Sequence, residues 1–363
     1  MKRIRSEWSR TAEERESFRR RVELCAGCPA EQAVFLDIET TGFSRLYDSV
    51  YLVGLLYERQ GRIWLEQLLL SDIREEPELL LALQECLAPF SVMITYNGDA
   101  FDRPFLAQRA SRLCVGALRQ GESVDMLKRY RSYSAWFGWS SLKLKSLEGF
   151  LGVERRDEFD GGQLISVFRE YSRTEDEGLE RLLLLHNAED VQNLPRLLQI
   201  EEFWREAQQS RVSAARLRED TIWFILDRPL PLTVEGHANG GTWSCEAGSC
   251  QAALTGSVTK ASLRYYLPNY KDYYYIPAKE QIVHRSLADT IPRSERRAAT
   301  QEHCWLPRNG CFWPGRPEDI PELHSYRQAA RDKAVYYEIS ELQSWMAAQG
   351  EERLTQWFHR CWN

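Results

Sequence analysis

The chain has 363 residues, of which 43% are hydrophobic and 12% aromatic, and its formal net charge at pH 7 is -6. This apolar and aromatic content excludes a generally disordered protein, and the length favours two domains over one. No apolar run approaches the roughly 20 residues that a membrane helix needs, so we expect no membrane association. The acidic charge does not exclude nucleic acid as a partner, because binding needs only a local basic groove.

The first residues, MKRIRSEWSRTAEERESFRRR, are basic but lack the apolar core of a secretory signal. We predict residues 1–30 to be a helical extension whose first part is a solvated amphipathic helix. The nine cysteines form no dense disulfide framework, which favours reduced thiols and a cytoplasmic location. Cys25 and Cys28 have the spacing of a zinc knuckle, but unrelated thiols are the simpler interpretation.

Hydrophobic periodicity predicts the elements that follow. In chain order they are strands at 33–40, 49–58 and 62–70, a helix at 75–90, a strand at 91–98, and helices at 102–113, 140–152, 162–171 and about 176–204. The short glycine turn between the second and third strands indicates a hairpin, so the sheet begins antiparallel. Hairpin strands, a crossover helix, a further strand and then mostly helices indicate an α/β sandwich around a mixed sheet.

The composition changes near residues 205–235, where prolines and short β-type runs begin. We predict a smaller β-rich domain of unknown role over 206–335 and a C-terminal helix over 336–363. Within this part, TKASLRYYLPNYKDYYYIPAKEQIVHRS interleaves lysine and arginine with tyrosine. Such a mixture fits a surface that stacks bases and pairs with phosphates. It equally fits tyrosines that pack across the strands of a small sheet.

Three distant segments carry acids at the ends of predicted elements. Asp37 and Glu39 lie in the strand AVFLDIET and project to the same side, because side chains alternate along a strand. Asp102 begins a helix after the turn TYNGDAF. His186 and Asp190 share one face of the helix LLLLHNAEDVQNL, because they are four residues apart. Two same-face acids without a counter-charge repel each other, so the first pair predicts a cation.

Each of these groups also has a purely structural interpretation. Asp37 and Glu39 could cap the turn after their strand through the Thr40 and Thr41 amides. Asp102 could be an ordinary first-turn helix acid. Asp190 could form a salt bridge to Arg181 or Arg196, and His186 could be a hydrogen-bonded core histidine.

Taken together, DIETTG, YNGDAFD and HNAED resemble the three motifs of the DEDD 3′–5′ exonucleases, which have a ribonuclease H-like fold. The YprB-like branch is most similar, since its segment between the second and third motifs resembles SLKLKSLEGFLGVERRDEFDGGQLISVFREY. The resemblance covers roughly residues 30 to 200. It implies an exonuclease domain over 31–205, built as a ribonuclease H-like mixed sheet flanked by helices.

The resemblance also implies roles for individual residues. His186 matches the general base, although only three residues separate it from Asp190, the spacing of the tyrosine-type motif. The matching metal ligands are Asp37, Glu39, Asp102 and Asp190. The positions implied to bind the terminal nucleotide are Thr40, Thr41, Gly42, Phe43, Asn97 and Phe101.

An all-oxygen carboxylate site suits hard cations, so we expect two Mg²⁺ or Mn²⁺ ions. Such a pair can generate hydroxide and stabilise the departing oxygen of a phosphodiester. The expected function is a metal-dependent nuclease, a 3′–5′ exonuclease acting on single-stranded or frayed DNA or RNA ends. The alternatives are a non-catalytic nucleic-acid-binding or adaptor protein and a structure-specific endonuclease.

Overall fold

The computed structural model describes residues 1–8, 11–119, 121–157, 159, 161–238 and 240–363. Parts of two predicted segments, Ser9 and Arg10 near the N-terminus and Glu158 and Asp160 before GGQLI, lie outside the described residues. The chain forms two compact units. The first comprises Met1–Ala135 and Trp139–Trp204, and the second comprises Trp136–Gly138 and Arg205–Asn363. The predicted domain boundaries stay a prediction.

The first unit is built on a six-stranded mixed sheet of order β1-β4-β3-β2-β5-β6. Its strands are β1 (Lys2–Glu7), β2 (Ala33–Thr40), β3 (Val50–Arg59), β4 (Arg62–Leu69), β5 (Val92–Thr95) and β6 (Glu122–Asp125). The strands from β1 to β2 pair antiparallel, whereas β5 and β6 continue the sheet in parallel. Gln60 and Gly61 have positive φ between β3 and β4, as a tight two-residue hairpin turn requires. The expected hairpin and mixed sheet are confirmed.

Within the described residues, seven α-helices belong wholly or largely to this unit. They are α1 (Ala12–Ala26), α2 (Glu76–Leu87), α3 (Asp102–Arg112), α4 (Met126–Phe137), α5 (Leu144–Phe150), α6 (Gly161–Thr174) and α7 (Glu177–Gln209). Val34, Leu36 and Ile38 of β2 join a core with apolar side chains of α2 and α3. On the opposite side of β2, Phe35 packs on Phe18 of α1. The prediction of a sheet flanked by helices is therefore confirmed.

The prediction that residues 1–30 are helical is wrong for the first residues. Lys2–Glu7 form β1, which pairs with β4 from Lys2↔Leu69 to Glu7↔Trp64. The helix α1 begins only after Thr11, which caps it in a reciprocal capping box with Glu14. The charges of β1 suit an exposed edge strand. Their pairing partner lies some sixty residues along the chain, so local periodicity does not reveal it.

Two elements of the first unit were not predicted. The strand β6 has only four residues, of which two are exposed, so its alternation is too short to stand out. The helix α4 follows it without a break, and Asp125 caps it, because its side chain accepts the Lys128 amide at 3.3 Å. Both matter for the site, since β6 ends at Asp125.

The second unit is β-rich, as expected, and its described strands pair antiparallel. Its five-stranded sheet contains β7 (Val212–Arg218), β8 (Thr221–Leu226), β9 (Val234–Ala238), β10 (Gly241–Cys245) and β11 (Gln251–Thr255). A small closed barrel contains β12 (Thr259–Tyr266), β16 (Trp305–Gly315), β17 (Tyr326–Arg327) and β18 (Val335–Glu338), and a three-stranded sheet contains β13 (Tyr273–Ile276), β14 (Gln281–His284) and β15 (Arg297–Ala298).

The predicted single helix over 336–363 is wrong in its extent and its number. Val335–Glu338 form β18 of the barrel, pairing with β16. Two helices follow, α8 (Ile339–Ala348) and α9 (Glu351–Trp362), separated by the extended backbone of Gly350. Glycine disfavours a helix interior, and here it divides the run. Among the described residues, no helix combines the length and the apolar composition needed to cross a membrane.

Candidate metal and nuclease site

The first two acids lie near the end of β2, and the glycine opposite them lets α7 approach. Asp37 is paired with Gly54 of β3. A Cβ atom at Gly54 would lie 2.4 Å from the Asn187 side chain, so only glycine leaves room for α7 there. The Asn187 amide donates to Asp37 Oδ2 at 3.0 Å and accepts from Gln67 at 2.9 Å. This chain of hydrogen bonds fixes the orientation of the Asp37 carboxylate.

Asp102 reaches across from α3 to the strand that carries the first two acids. Its Oδ1 accepts the backbone N–H of Ile38, between Asp37 and Glu39, at 3.1 Å. Asp102 is only 4% exposed and occupies the first helical position, with Phe101 at the N-cap. The carboxylate therefore joins the acidic cluster, and the alternative of an ordinary first-turn acid does not describe its contacts.

The helix α7 places His186 and Asp190 against Glu39. The distance from His186 Nε2 is 3.3 Å to Glu39 Oε1 and 3.4 Å to Asp190 Oδ2. These three side chains offer potential ligand atoms that all lie within 4.8 Å of one another. The close spacing of His186 and Asp190 in sequence thus does not keep the histidine from the acids.

The other ring nitrogen of His186 contacts an acid that was not predicted. His186 Nδ1 lies 2.6 Å from Asp157 Oδ2, and both side chains are buried. Burial pushes the pKa of Asp157 up, but the neighbouring His186 ring and the Phe159 amide hold that pKa below its ordinary value. Asp157 is therefore ionised and can only accept, so Nδ1 donates and Nε2 faces the cluster.

Arg155 brings a positive charge to the rim of the cluster. Its guanidinium, 8% exposed, lies 2.5 Å from Asp190 Oδ1, 3.0 Å from both oxygens of Glu148 and 3.3 Å from Asp157. Asp190 is thus paired with Arg155, not with either arginine weighed from the sequence. Nothing in the local sequence pairs these residues, because the contact joins a loop to a helix thirty-five residues away.

The other three acids have no such neighbour. In the part of the chain that the structure describes, neither lysine nor arginine forms an ion pair with Asp37, Glu39 or Asp102. Burial, followed by the charges of the neighbouring acids, raises the pKa of Asp37 and of Glu39 well above their ordinary values. Burial also raises the pKa of Asp102 to about 7. Glu39 and Asp102, which are buried, and Asp37, which is half-buried, are therefore left without an ion-pair partner among the described residues.

A hard divalent cation fits this donor set. Carboxylate oxygens are the ligands that Mg²⁺ and Mn²⁺ prefer, and the acids converge from β2, α3 and α7. Asp190 can offer Oδ2, since Arg155 contacts only its Oδ1 at hydrogen-bond distance. Among the described residues, His186 adds a nitrogen donor to the acids, and Arg155 adds a positive charge that pairs with Asp190.

The residues after β2 form a compact, internally bonded turn. The Thr40 hydroxyl donates to the Gly42 carbonyl at 2.7 Å, and the Thr41 hydroxyl accepts the Ser49 amide at 3.0 Å. Gly42 packs so closely on Asp48 that a Cβ there would lie 2.5 Å from the carboxylate. The backbone of this turn is therefore rigid, but its role in nucleotide binding stays a prediction.

Two phenylalanines beside the site differ in burial. Phe43 is 83% exposed, whereas Phe101 is partly buried and packs on the core and on Phe105. Their rings contact each other edge to face at a centroid distance of 6.4 Å. Phe101 therefore packs on the core and contacts the exposed ring of Phe43, and the binding of a nucleotide by either ring stays a prediction.

Asn97 is held in a left-handed conformation beneath the second motif. Its φ is +67°, and the carboxylate of Asp125 at the end of β6 accepts the amides of Asn97 and Asp99 at 3.0 and 3.1 Å. Asp125 therefore shapes the turn that delivers Asp102. The predicted contact between Asn97 and substrate stays a prediction.

Cys25 and Cys28 do not belong to a metal site among the residues described. Cys25 is buried in α1, where its sulfur accepts from Arg129 at 3.0 Å, and Cys28 is half-buried. The only cluster of three or more metal-type ligands found in the described chain is that of Glu39, His186 and Asp190.

Residues 34–200 match the family model of the RNase_H superfamily. This range contains all five predicted catalytic residues and, apart from β1 and Ala33, the strands of the mixed sheet described above. The first unit has a ribonuclease H-like fold. No curated protein matches the chain by sequence.

Solved structures with partial likeness include a family B DNA polymerase from the archaeon Pyrobaculum calidifontis, at 14% identity and a TM-score of 0.34 over 70% of this chain and 39% of that one. A zinc-bound E. coli exonuclease I–ssDNA complex has 14% identity and a TM-score of 0.29, over 53% of this chain and 54% of that one. An exonuclease I complex with SSB-Ct has 12% identity and a TM-score of 0.29, over 53% of this chain and 55% of that one. The chain thus spans about two fifths of the polymerase and about half of exonuclease I.

Proposed function

We propose that the first unit is a metal-dependent nuclease that acts as a 3′–5′ exonuclease on single-stranded or frayed DNA or RNA ends. The observation that carries the proposal is the convergence of Asp37, Glu39 and Asp102, of which the last two are buried, without lysine or arginine partners among the described residues. Asp190 and His186 complete the cluster from α7. The match of residues 34–200 to the RNase_H superfamily supports the same assignment.

The roles of the side chains follow from their positions. Asp37, Glu39, Asp102 and Asp190 would hold two Mg²⁺ or Mn²⁺ ions. When bound, such ions supply a lower pKa for the attacking water and charge stabilisation for the leaving 3′ oxygen. His186 presents Nε2 beside Glu39 and Asp190, where it can accept the proton of that water. Asp157 holds the ring in this orientation from Nδ1. The exposed ring of Phe43 offers a stacking surface at the edge of the site.

The first experiment measures shortening of labelled DNA and RNA oligonucleotides in Mn²⁺, with the label at the 5′ end. A 3′–5′ exonuclease produces a ladder of products that shorten from the 3′ end. A circular single strand stays intact unless the enzyme cuts internally, which distinguishes endonuclease action. Absence of any cleavage for every end structure in Mn²⁺ would exclude the nuclease.

The matching variant is Asp37→Asn, which keeps the side-chain shape but removes a ligand charge. We expect hydrolysis to fall by more than about 100-fold, because even groups that only support metal ligands contribute 10- to 100-fold. Asp220→Asn, in an exposed turn of the second unit, is the matched control and should keep wild-type hydrolysis. Equal loss in both variants would show that the effect is not specific to the cluster.

The Arg155–Asp190 pair favours a second candidate, a nucleic-acid-binding or adaptor protein without turnover. An arginine that stays on Asp190 removes one oxygen ligand from the site. This candidate predicts Mn²⁺-dependent binding of an oligonucleotide without shortening. The same labelled substrates separate the two functions, since binding and cleavage are measured on one sample.

A further inference from the structure

The small barrel of the second unit carries charged and aromatic side chains on its outer face. Leu263 and Tyr265 of β12 pack inside the barrel. Because side chains alternate along a strand, Arg264 and Tyr266 project outward. The registers place Arg327 of β17 opposite Arg264 and Trp305 of β16 opposite Tyr266, so these four side chains share the outer face.

The two arginines of this face oppose each other without a carboxylate. Neither Arg264 nor Arg327 forms an ion pair with an acid within the described chain. Arg327 donates to the Ala330 carbonyl at 3.4 Å, and its Nε is buried without a hydrogen-bond partner. Like charges directly opposite on a sheet repel each other, and a buried donor without an acceptor is costly. An anion between the guanidinium groups would relieve both.

Aromatic groups adjoin the arginines. The Arg264 guanidinium lies 4.2 Å from the centre of the Trp305 ring, and the Tyr266 hydroxyl is buried without a hydrogen-bond partner among the residues described. A groove of about 600 Å³ is lined by Arg264, Tyr266, Trp305, His303 and Tyr275. Its volume falls in the range of small-molecule sites, roughly 300–1,000 Å³. The groove therefore offers an anion contact beside an aromatic surface.

The acids of the groove do not cancel its charge. Glu302 is paired with Arg331 at 2.6 Å, and both side chains are largely exposed. Exposed ion pairs contribute little, so Arg331 can exchange this partner for a phosphate at low cost. Glu280 also lines the groove. Between residues 260 and 300 the chain has eight lysines and arginines but four acids, so the surrounding surface is basic.

We propose that this groove binds a single-stranded nucleic acid, with a base stacked on Trp305 and backbone phosphates at Arg264 and Arg327. Arg264 lines the groove, and Arg327 contacts the lining residue Ala330. The proposal deepens the proposed function and rests on it in taking a nucleic acid as the ligand. A single strand is favoured over a duplex because its base faces are accessible for stacking, whereas arginine contacts follow the backbone irrespective of sequence.

The test measures binding of labelled DNA and RNA single strands by fluorescence anisotropy. The oligonucleotides have about 12 nucleotides, within the site sizes of such surfaces. The full chain carries Asp37→Asn and is kept in EDTA, so that the strand stays intact. Titrations between about 50 and 200 mM salt give both the Kd and its salt dependence.

Three variants in this background give separate readouts. Trp305→Ala should weaken binding by roughly 5- to 150-fold, the range for one stacked base, and Trp305→Phe should restore most of it. Arg264→Ala and Arg327→Ala should each reduce the slope of log K against log salt by about 0.7, the value for one phosphate of a single strand. Arg218→Ala, an exposed arginine of β7, is the matched control and should change neither quantity.

Unchanged Kd and salt slope in Trp305→Ala, Arg264→Ala and Arg327→Ala would overturn the proposal. The proposal would also be overturned if thymidine monophosphate or inorganic phosphate displaced the oligonucleotide at a concentration near the Kd of the oligonucleotide. A groove that binds a strand contacts more than one nucleotide, so these small anions should bind much more weakly. Hydrolysis in Mn²⁺ by the chain with an intact Asp37 is measured separately. If the groove variants weaken binding but the chain hydrolyses no substrate, this inference is upheld and the nuclease is refuted. If the chain hydrolyses substrate but the groove variants bind as tightly as their parent, the nuclease is upheld and this inference is refuted.

Discussion

The His186 ring is oriented by the carboxylate of Asp157, which lies outside the three sequence motifs. Its Nδ1 contacts Asp157 at 2.6 Å, while Nε2 lies near Glu39 and Asp190. A buried carboxylate on one ring nitrogen fixes the tautomer and presents the other nitrogen to the reacting group. At the scale of one residue, Asp157 is therefore a positioning residue for the proposed base.

We predict that Asp157→Asn lowers kcat by roughly 10²–10⁴-fold, the usual contribution of a general base, while KM changes little. The amide can donate to Nδ1 through its NH₂ group, which would favour the wrong tautomer of the ring. The measurement is steady-state hydrolysis of a labelled oligonucleotide in Mn²⁺.

The control is a double-mutant cycle with His186→Ala. If Asp157 acts through the ring, Asp157→Asn adds no further loss in the His186→Ala background. An equal loss in both backgrounds would mean that Asp157 supports the fold or the metal site in another way.

At the scale of elements, Arg155 ties α5 to α7. Its guanidinium contacts Glu148 of α5, Asp190 of α7 and Asp157 of the intervening loop. The buried amide of Asn193 also donates to Glu148. Removing the shared cation would leave buried carboxylates uncompensated.

Arg155→Met should therefore lower the free energy of unfolding of the metal-free protein by about 3–5 kcal/mol, the usual cost of breaking a buried ion pair. The neighbouring Arg156→Met is the matched control, because the Arg156 side chain is 82% exposed. It should change stability by less than about 0.5 kcal/mol. Urea unfolding in EDTA measures the stability of both variants. Equal unfolding midpoints would show that the Arg155 ion pairs do not stabilise the fold.

At the scale of the whole molecule, the acidic cluster links stability to pH and metal. The ordinary pKa of Asp102 is 3.8, and burial raises it to about 7 in the folded protein. Stability from such a group is complete below its unfolded pKa and falls as pH rises through the folded one. Metal-free protein should therefore lose stability between about pH 4 and pH 7.

We predict that Asp102→Asn makes the metal-free protein more stable than wild type at about pH 8, but not at about pH 4. The difference is at most about 4 kcal/mol, the free energy that a shift from 3.8 to about 7 represents. Mn²⁺ should raise the Tm of wild type more at the higher pH, because it binds ionised carboxylates. Thermal unfolding at both pH values tests this prediction, with Asp220→Asn as the control. A difference in Tm between Asp102→Asn and wild type that does not change with pH would contradict the prediction.

The sequence by itself determined most elements of the first unit and which of its acids share a face. Alternation placed Asp37 and Glu39 on one side of β2, four-residue spacing placed His186 and Asp190 on one face of α7, and the glycine turn made the β3–β4 hairpin. These features follow from backbone geometry over a few residues, which the sequence shows directly.

Only the tertiary structure decided which groups become neighbours. Arg155 reaches Asp190, Asn187 reaches Asp37 and β1 pairs with β4 across 35, 150 and some sixty residues respectively. Such contacts depend on how the whole chain closes on itself, and many partners of equal chemistry compete for each charge. The positions of the acids in the sequence could therefore be proposed in advance. Arg155, which pairs with Asp190, and Asp157, which orients His186, could not.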